Sequence, residues 1–179
     1  MKILIEQNYP GTKLSISEWS STADTDITGG LVVADSLGIF GQYGVDSATY
    51  WEDPDAGSPA GLAFWLFRGY STFFCLVFKL GSPTESISHG TTFGSSSAQV
   101  NLASPNPDLL GLYAGTENGK LSLVIVNKSP DSPFSFDLAN VPTGSYFMRH
   151  FGGQAGIAKW QVSHEVPSNH LICASQNCF

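Results

Sequence analysis

The sequence predicts a mixed fold in two parts, a parallel α/β unit followed by an antiparallel β region. Two observations carry this. Over roughly the first 70 residues the pattern runs helix, strand, helix, strand, helix, the order that builds a parallel sheet or barrel. From Thr91 onward no segment keeps a convincing helical period, and short alternating runs stand between Gly, Pro, Asn and Asp turns. The chain of 179 residues is 42% apolar, which supplies a core, and 13% charged, against ~25% in ordinary globular domains. Loops and short strands with uncharged polar surfaces follow from that balance.

Residues 1–9 read as two turns of an amphipathic helix with no capping residue before it, stopped by Pro10-Gly11. Lys13 to Glu18 then alternates, with Leu14, Ile16 and Glu18 on one face and Lys13, Ser15 and Ser17 on the other. Glu18 is therefore expected on the apolar face, at the strand's carboxyl end. After a polar loop a helix is predicted from about Asp26 to Tyr43, capped by Thr25 or Asp26 and closed by Gly44. Gly30, Ala34 and Gly38 recur every four residues, a strip that lowers helix propensity and is expected to let the helix lie close to a sheet. "DSATYW", Asp46 to Trp51, is the second strand, and Pro59 suits the first turn of the helix "AGLAFWLFRGY".

The β region is expected to form an antiparallel sandwich. Its clearest strand is "GKLSLVIVNKS", Gly119 to Ser129, preceded by "LLGLYAG" and followed by "FSFDLANV" and "SYFMRHF". "TENGK" is a hairpin turn, since Asn-Gly accepts the positive φ angles it needs. Residues 71–90, "STFFCLVFKLGSPTESISHG", open with a dense apolar run and fit neither part.

A net charge of −7 argues against nucleic acid and anionic membrane, both of which reward basic patches, and is compatible with a neutral polysaccharide. No apolar span approaches the ~20 residues of a membrane helix, and "MKILIEQNYP" is too short for a signal peptide. Cys75 is alone in its apolar run, while Cys173 and Cys178 could close a small disulfide loop; no spacing suggests zinc, and no metal or cofactor is expected. His89, His150, His164 and His170 are scattered. Glu52, Asp53 and Asp55 lack a calcium-loop pattern and read as a solvated loop. Asn127-Lys128-Ser129 is a glycosylation sequon.

The stretch "YPGTKLSISEW…DTDITGGLVVADSLGIFGQYGVDSATYW" resembles a segment of glycoside hydrolase family 44. Family members are endo-β-1,4-glucanases and xyloglucanases with a (β/α)8 barrel and a β-sandwich. In the family such a strand ends in "TE" followed by an aromatic, and a helix resembling "ADVLGIFG" and a last barrel strand with "ATYW" come after it. The likeness spans about residues 4–70 and extends with less force to about 150. It implies a C-terminal barrel portion at 1–70, an unmatched insertion or linker at 71–90, a β-sandwich at 91–165 and a tail at 166–179. The earlier strand–helix units, with the "NE" acid/base glutamate, would lie before Met1, which suggests a truncated or imperfectly spliced product.

The resemblance implies Glu18 as the nucleophile of a retaining mechanism, a β-glucan as substrate and an extracellular parent protein. Retaining glycosidases need two carboxylates ~5–5.5 Å apart, one to attack the anomeric carbon and one to protonate the leaving oxygen. Trp51 could stack on a sugar ring or pack at the barrel rim. Trp19 is a weaker version of the same reading, and Tyr50 is either core or a hydrogen-bond partner of the nucleophile. The alternative is a non-catalytic carbohydrate-binding or structural β-sandwich protein.

Overall fold

The computed structural model of the chain describes residues 1–68, 93–94, 96–99, 107–130, 134–137 and 170–173. The expectations for 71–90, for "SYFMRHF", for Cys75 and Cys178, and for His89, His150 and His164 lie outside these residues. Helix α1, Lys2–Asn8, is followed by strand β1, Ser15–Trp19, helix α2, Ile27–Tyr43, strand β2, Ser47–Tyr50, and helix α3, Pro59–Arg68. Then come β3, Ser96–Ala98, a 3₁₀ turn at Pro107–Leu109, β4, Leu110–Glu117, β5, Lys120–Asn127, β6, Phe134–Asp137, and β7, His170–Cys173.

Helix α2 has the ends its sequence predicts. Asp26 is extended and its carboxylate accepts the Thr28 N–H at 2.8 Å, satisfying one orphan donor of the first turn. Those hydrogen bonds hold the Asp26 carboxyl below its ordinary value of 3.8. Gly44 closes the helix in the left-handed region, at φ 59°.

β1 and β2 pair in parallel across α2, a βαβ unit. β3, β4 and β5 form an antiparallel sheet, and the β4–β5 register, Glu117 opposite Lys120, leaves Asn118-Gly119 as a two-residue turn with both φ angles positive. β6 and β7 form a separate antiparallel pair. Residues 170–173, expected in an unmatched tail, thus belong to a strand.

The core lies between α2, α3 and the β4–β5 hairpin. Val33, Ala34, Ala60, Ala63 and Val126 are fully buried there. The small-residue strip of α2 explains the geometry. A Cβ on Gly30 would fall 2.8 Å from Pro59, and one on Gly38 would fall 2.2 Å from the Tyr113 ring. The sheet that α2 approaches through Gly38 is the antiparallel one.

A polar tie crosses the same junction. Tyr113 donates its hydroxyl to Asp35 Oδ1 at 2.5 Å, and Lys128 Nζ reaches Asp35 Oδ2 at 2.9 Å. Burial, with the Asp35 hydrogen bond and charge, pushes the Tyr113 phenol far above its ordinary value of 10.0. The sequon is also structural here. Asn127 is fully buried and its side-chain oxygen accepts the Ser129 N–H at 2.9 Å, so the folded chain does not present it for glycosylation.

Candidate active site

The parallel pair has two unlike faces. Leu14, Ile16, Trp19, Ala48 and Tyr50 are half-buried, whereas Ser15, Ser17, Glu18, Ser47, Thr49 and Trp51 are exposed. On the first face Trp19 and Tyr50 pack against the core under α2 and α3. On the second, the Ser15 and Ser47 hydroxyl oxygens lie 2.8 Å apart across the strands. We call this second side the open face.

Glu18 is on the open face, which corrects the expected alternation. Ile16 pairs with Ala48 and Trp19 with Tyr50, so Ser17 and Glu18 together oppose the single residue Thr49. This is a β-bulge, and the extra residue shifts the parity of the strand. Trp19 rather than Glu18 therefore joins Leu14 and Ile16. No signal in a five-residue strand distinguishes a bulged from a regular register, because the apolar residues at 14, 16 and 19 fit a regular strand until the last of them. Among the described residues no hydrogen bond or ion pair engages the Glu18 carboxylate.

The four residues singled out in the sequence separate into two pairs. Glu18 and Trp51 are exposed at the carboxyl ends of neighbouring parallel strands, and Trp51, 61% exposed, has an accessible ring. Trp19 and Tyr50 form the wall behind them. The Trp19 ring is edge-on to Phe40 at 5.0 Å and to Tyr50 at 4.8 Å, with Phe64 at 6.0 Å, so its surroundings are aromatic packing. Its Nε1 is buried and has no hydrogen-bond partner among the described residues. Tyr50 directs its hydroxyl at the loop after β1, where it meets Asp24 and Ser21. Glu52, Asp53 and Asp55 are exposed in the loop that follows Trp51, and among the described residues no group of three potential ligands could hold a metal ion.

The loop from Ser20 to Asp26 carries the polar groups that the sequence reading passed over. Ser21 Oγ donates to Asp24 Oδ1 at 2.6 Å, a bond that Ser-x-x-Asp spacing permits, and the Ser21 N–H donates to the Tyr50 hydroxyl at 3.0 Å. Thr22 has φ 60° although it is β-branched, a conformation costing on the order of 1–3 kcal/mol. Its N–H is satisfied by Ser20 Oγ at 3.0 Å. Gly29 makes room for the loop, since a Cβ there would lie 1.9 Å from the Ala23 carbonyl oxygen.

No protein-family model matches the chain. It is 35% identical over 134 residues to endoglucanase A of Paenibacillus lautus, covering 73% of this chain and 17% of that protein. It is 29% identical over 147 residues to β-mannanase/endoglucanase A of Caldicellulosiruptor saccharolyticus, covering 82% of this chain and 10% of the relative. Among solved structures it is similar to the family 44 endoglucanase Cel44A of Clostridium thermocellum, with 25% identity and a TM-score of 0.73 over 97% of this chain and 32% of the other. It is also similar to a Paenibacillus polymyxa xyloglucanase of family 44, with 27% identity and a TM-score of 0.69 over 96% of this chain and 31% of the other. The chain spans less than a fifth of these curated relatives and about a third of the solved chains. In sequence and in fold the chain is similar to proteins of glycoside hydrolase family 44.

Proposed function

We propose that the chain carries the nucleophile side of a retaining endo-β-1,4-glucanase site, with cellulose or xyloglucan as substrate. Glu18 is the nucleophile and Trp51 the platform for a neighbouring sugar ring, while Trp19 and Tyr50 shape that subsite from behind. The observation that carries the reading is the bulge in β1, which turns Glu18 onto the open polar face at the carboxyl end of a parallel strand. Parallel α/β folds gather their chemistry at such ends. The activities for which the relatives are named, among them endoglucanase, glucanase-xylanase and xyloglucanase, support a β-linked polysaccharide as the substrate class.

In this reading residues 1–70 are the C-terminal portion of a (β/α)8 catalytic barrel, and 71–90 are an insertion or linker. The β-sandwich begins at about residue 91 and draws in the strand at 170–173. The parent enzyme acts outside the cell, where its polymeric substrate is; among the described residues no helix is long and apolar enough to cross a membrane.

The chemistry follows from the carboxylate. Ionised Glu18 attacks the anomeric carbon, the glycosidic C–O bond breaks, and the leaving oxygen takes a proton from a second carboxylic acid. Such a proton donor is worth roughly 10²–10⁴ in rate. A leaving group that departs without a proton isolates the contribution of Glu18. The test is therefore dinitrophenyl β-cellobioside, run beside soluble cellulose and xyloglucan. Dinitrophenolate is expected from the unaltered chain and not from Glu18→Gln, and any release of reducing ends from the polymers should be lost in Glu18→Gln as well. Equal release by the two proteins would overturn the assignment.

A further inference from the structure

The peptide that presents Glu18 is pinned on both sides. Before it, Ile16 pairs with Ala48 and the Ser15 and Ser47 hydroxyls meet at 2.8 Å. After it, the Trp51 N–H donates to the Trp19 carbonyl at 2.9 Å, and the Trp19 ring is wedged against Phe40 and Tyr50. The chain then turns through Ser21, whose N–H donates to the Tyr50 hydroxyl at 3.0 Å and whose Oγ donates to Asp24 at 2.6 Å. The Tyr50 hydroxyl also bonds Asp24, closing a three-membered network.

This network holds a turn that would not keep its course unaided. Thr22, next to Ser21, lies in the left-handed region, and such a residue persists only where its surroundings over-determine it. The Asp24 carbonyl accepts the Ala60 N–H at 3.2 Å, which ties the loop to the start of α3 as well. A single hydroxyl on β2 is thus a main fixture for the exit of β1 from the bulge.

Resting on the reading of Glu18 as nucleophile, we propose that Tyr50 and Asp24 are positioning residues for it. They act through the backbone of the bulge and the Ser20–Asp26 loop, fixing where the carboxylate stands relative to the anomeric carbon. Displacements of about 1 Å at a reacting group can cost on the order of 10²-fold in rate.

The experiment uses the full chain of 179 residues and the burst of dinitrophenolate from dinitrophenyl β-cellobioside. In that burst Glu18 forms a bond to the anomeric carbon, and the aryl oxygen leaves with the bonding electron pair. Its rate constant and half-saturation concentration are read separately. Tyr50→Phe keeps the ring against Trp19 and Phe64 and removes only the hydroxyl; Asp24→Asn keeps the shape and serves as the second variant if the first unfolds. Each is expected to lower the rate constant by about tenfold or more while half-saturation stays within about threefold. Lys128→Met, which loosens the distant tie to Asp35, should retain the unaltered rate. A Tyr50→Phe burst that is unchanged, or that falls only as Lys128→Met does, overturns the positioning role and leaves Glu18 as nucleophile. No burst from the unaltered chain overturns the nucleophile reading and the positioning role together.

Discussion

The two sheets on either side of α2 are built to opposite ends. β4 and β5 pair over eight residues each, bury Tyr113, Val124 and Val126 in the core, and are tied to α2 through Asp35. β1 and β2 are five and four residues long and contribute no fully buried side chain. One of their faces packs on the helices and the other is polar and exposed. The hairpin closes its ladder through a two-residue turn and stabilises itself locally. The parallel pair depends on its helices for support, and its unpacked face leaves Glu18 and Trp51 accessible. In the proposed reading the antiparallel side carries stability and the parallel side carries chemistry.

Substitutions on the two sides should separate accordingly. The largest effect is expected from Asp35→Ala, which strands the Tyr113 hydroxyl and the Lys128 ammonium in a largely buried site. A loss of about 2–3 kcal/mol is expected in denaturant unfolding, with no change in the dinitrophenolate burst. Gly38→Ala comes next. Its new Cβ would stand 2.2 Å from the Tyr113 ring, and relief of that clash should cost about 2 kcal/mol in the same measurement.

On the parallel side Thr22→Asn should stabilise the chain by about 1 kcal/mol, because Asn accepts the left-handed region more readily. Asp26→Ala removes the α2 cap, and its effect should depend on pH. The folded state lowers the Asp26 pKa below 3.8, so the carboxylate stabilises the fold above that pH and the benefit is lost as pH falls through the folded value. The difference in thermal midpoint between the two proteins should therefore narrow below about pH 4. Glu18→Gln should have the smallest effect on stability, within about 0.5 kcal/mol, since the side chain is exposed. A large destabilisation by Glu18→Gln would mean that the open face is structural, and the contrast between the sheets would fail.

Much of this arrangement was legible in the sequence because it rests on local chemistry. Asp26 and Gly44 bound α2, Pro59 opens α3, and Asn118-Gly119 sets the hairpin register, each through the conformational preference of one or two residues. What was hidden depends on contacts between distant residues. The bulge is defined only by the pairing of Trp19 with Tyr50, so simple alternation placed Glu18 on the wrong face. Asp24 and Ser21 read as ordinary loop residues because their partner, Tyr50, arrives on another strand. Asp35 is one acidic residue among fifteen, and its partners come from the hairpin 78 and 93 residues away. The buried sequon shows the same limit, since a three-residue pattern carries no information about its own burial.

The measurement that tests the central claim most directly is covalent trapping of the nucleophile. A cellobiosyl fluoride with fluorine in place of the neighbouring hydroxyl loses its leaving group without a proton and forms a slowly hydrolysed ester. The full chain would be incubated with it, digested, and read by peptide mass. We expect one adduct per chain, on the peptide that contains Glu18, and none in Glu18→Gln. An adduct on another carboxylate, or equal labelling of both proteins, would contradict the assignment of chemistry to the open face of the parallel pair.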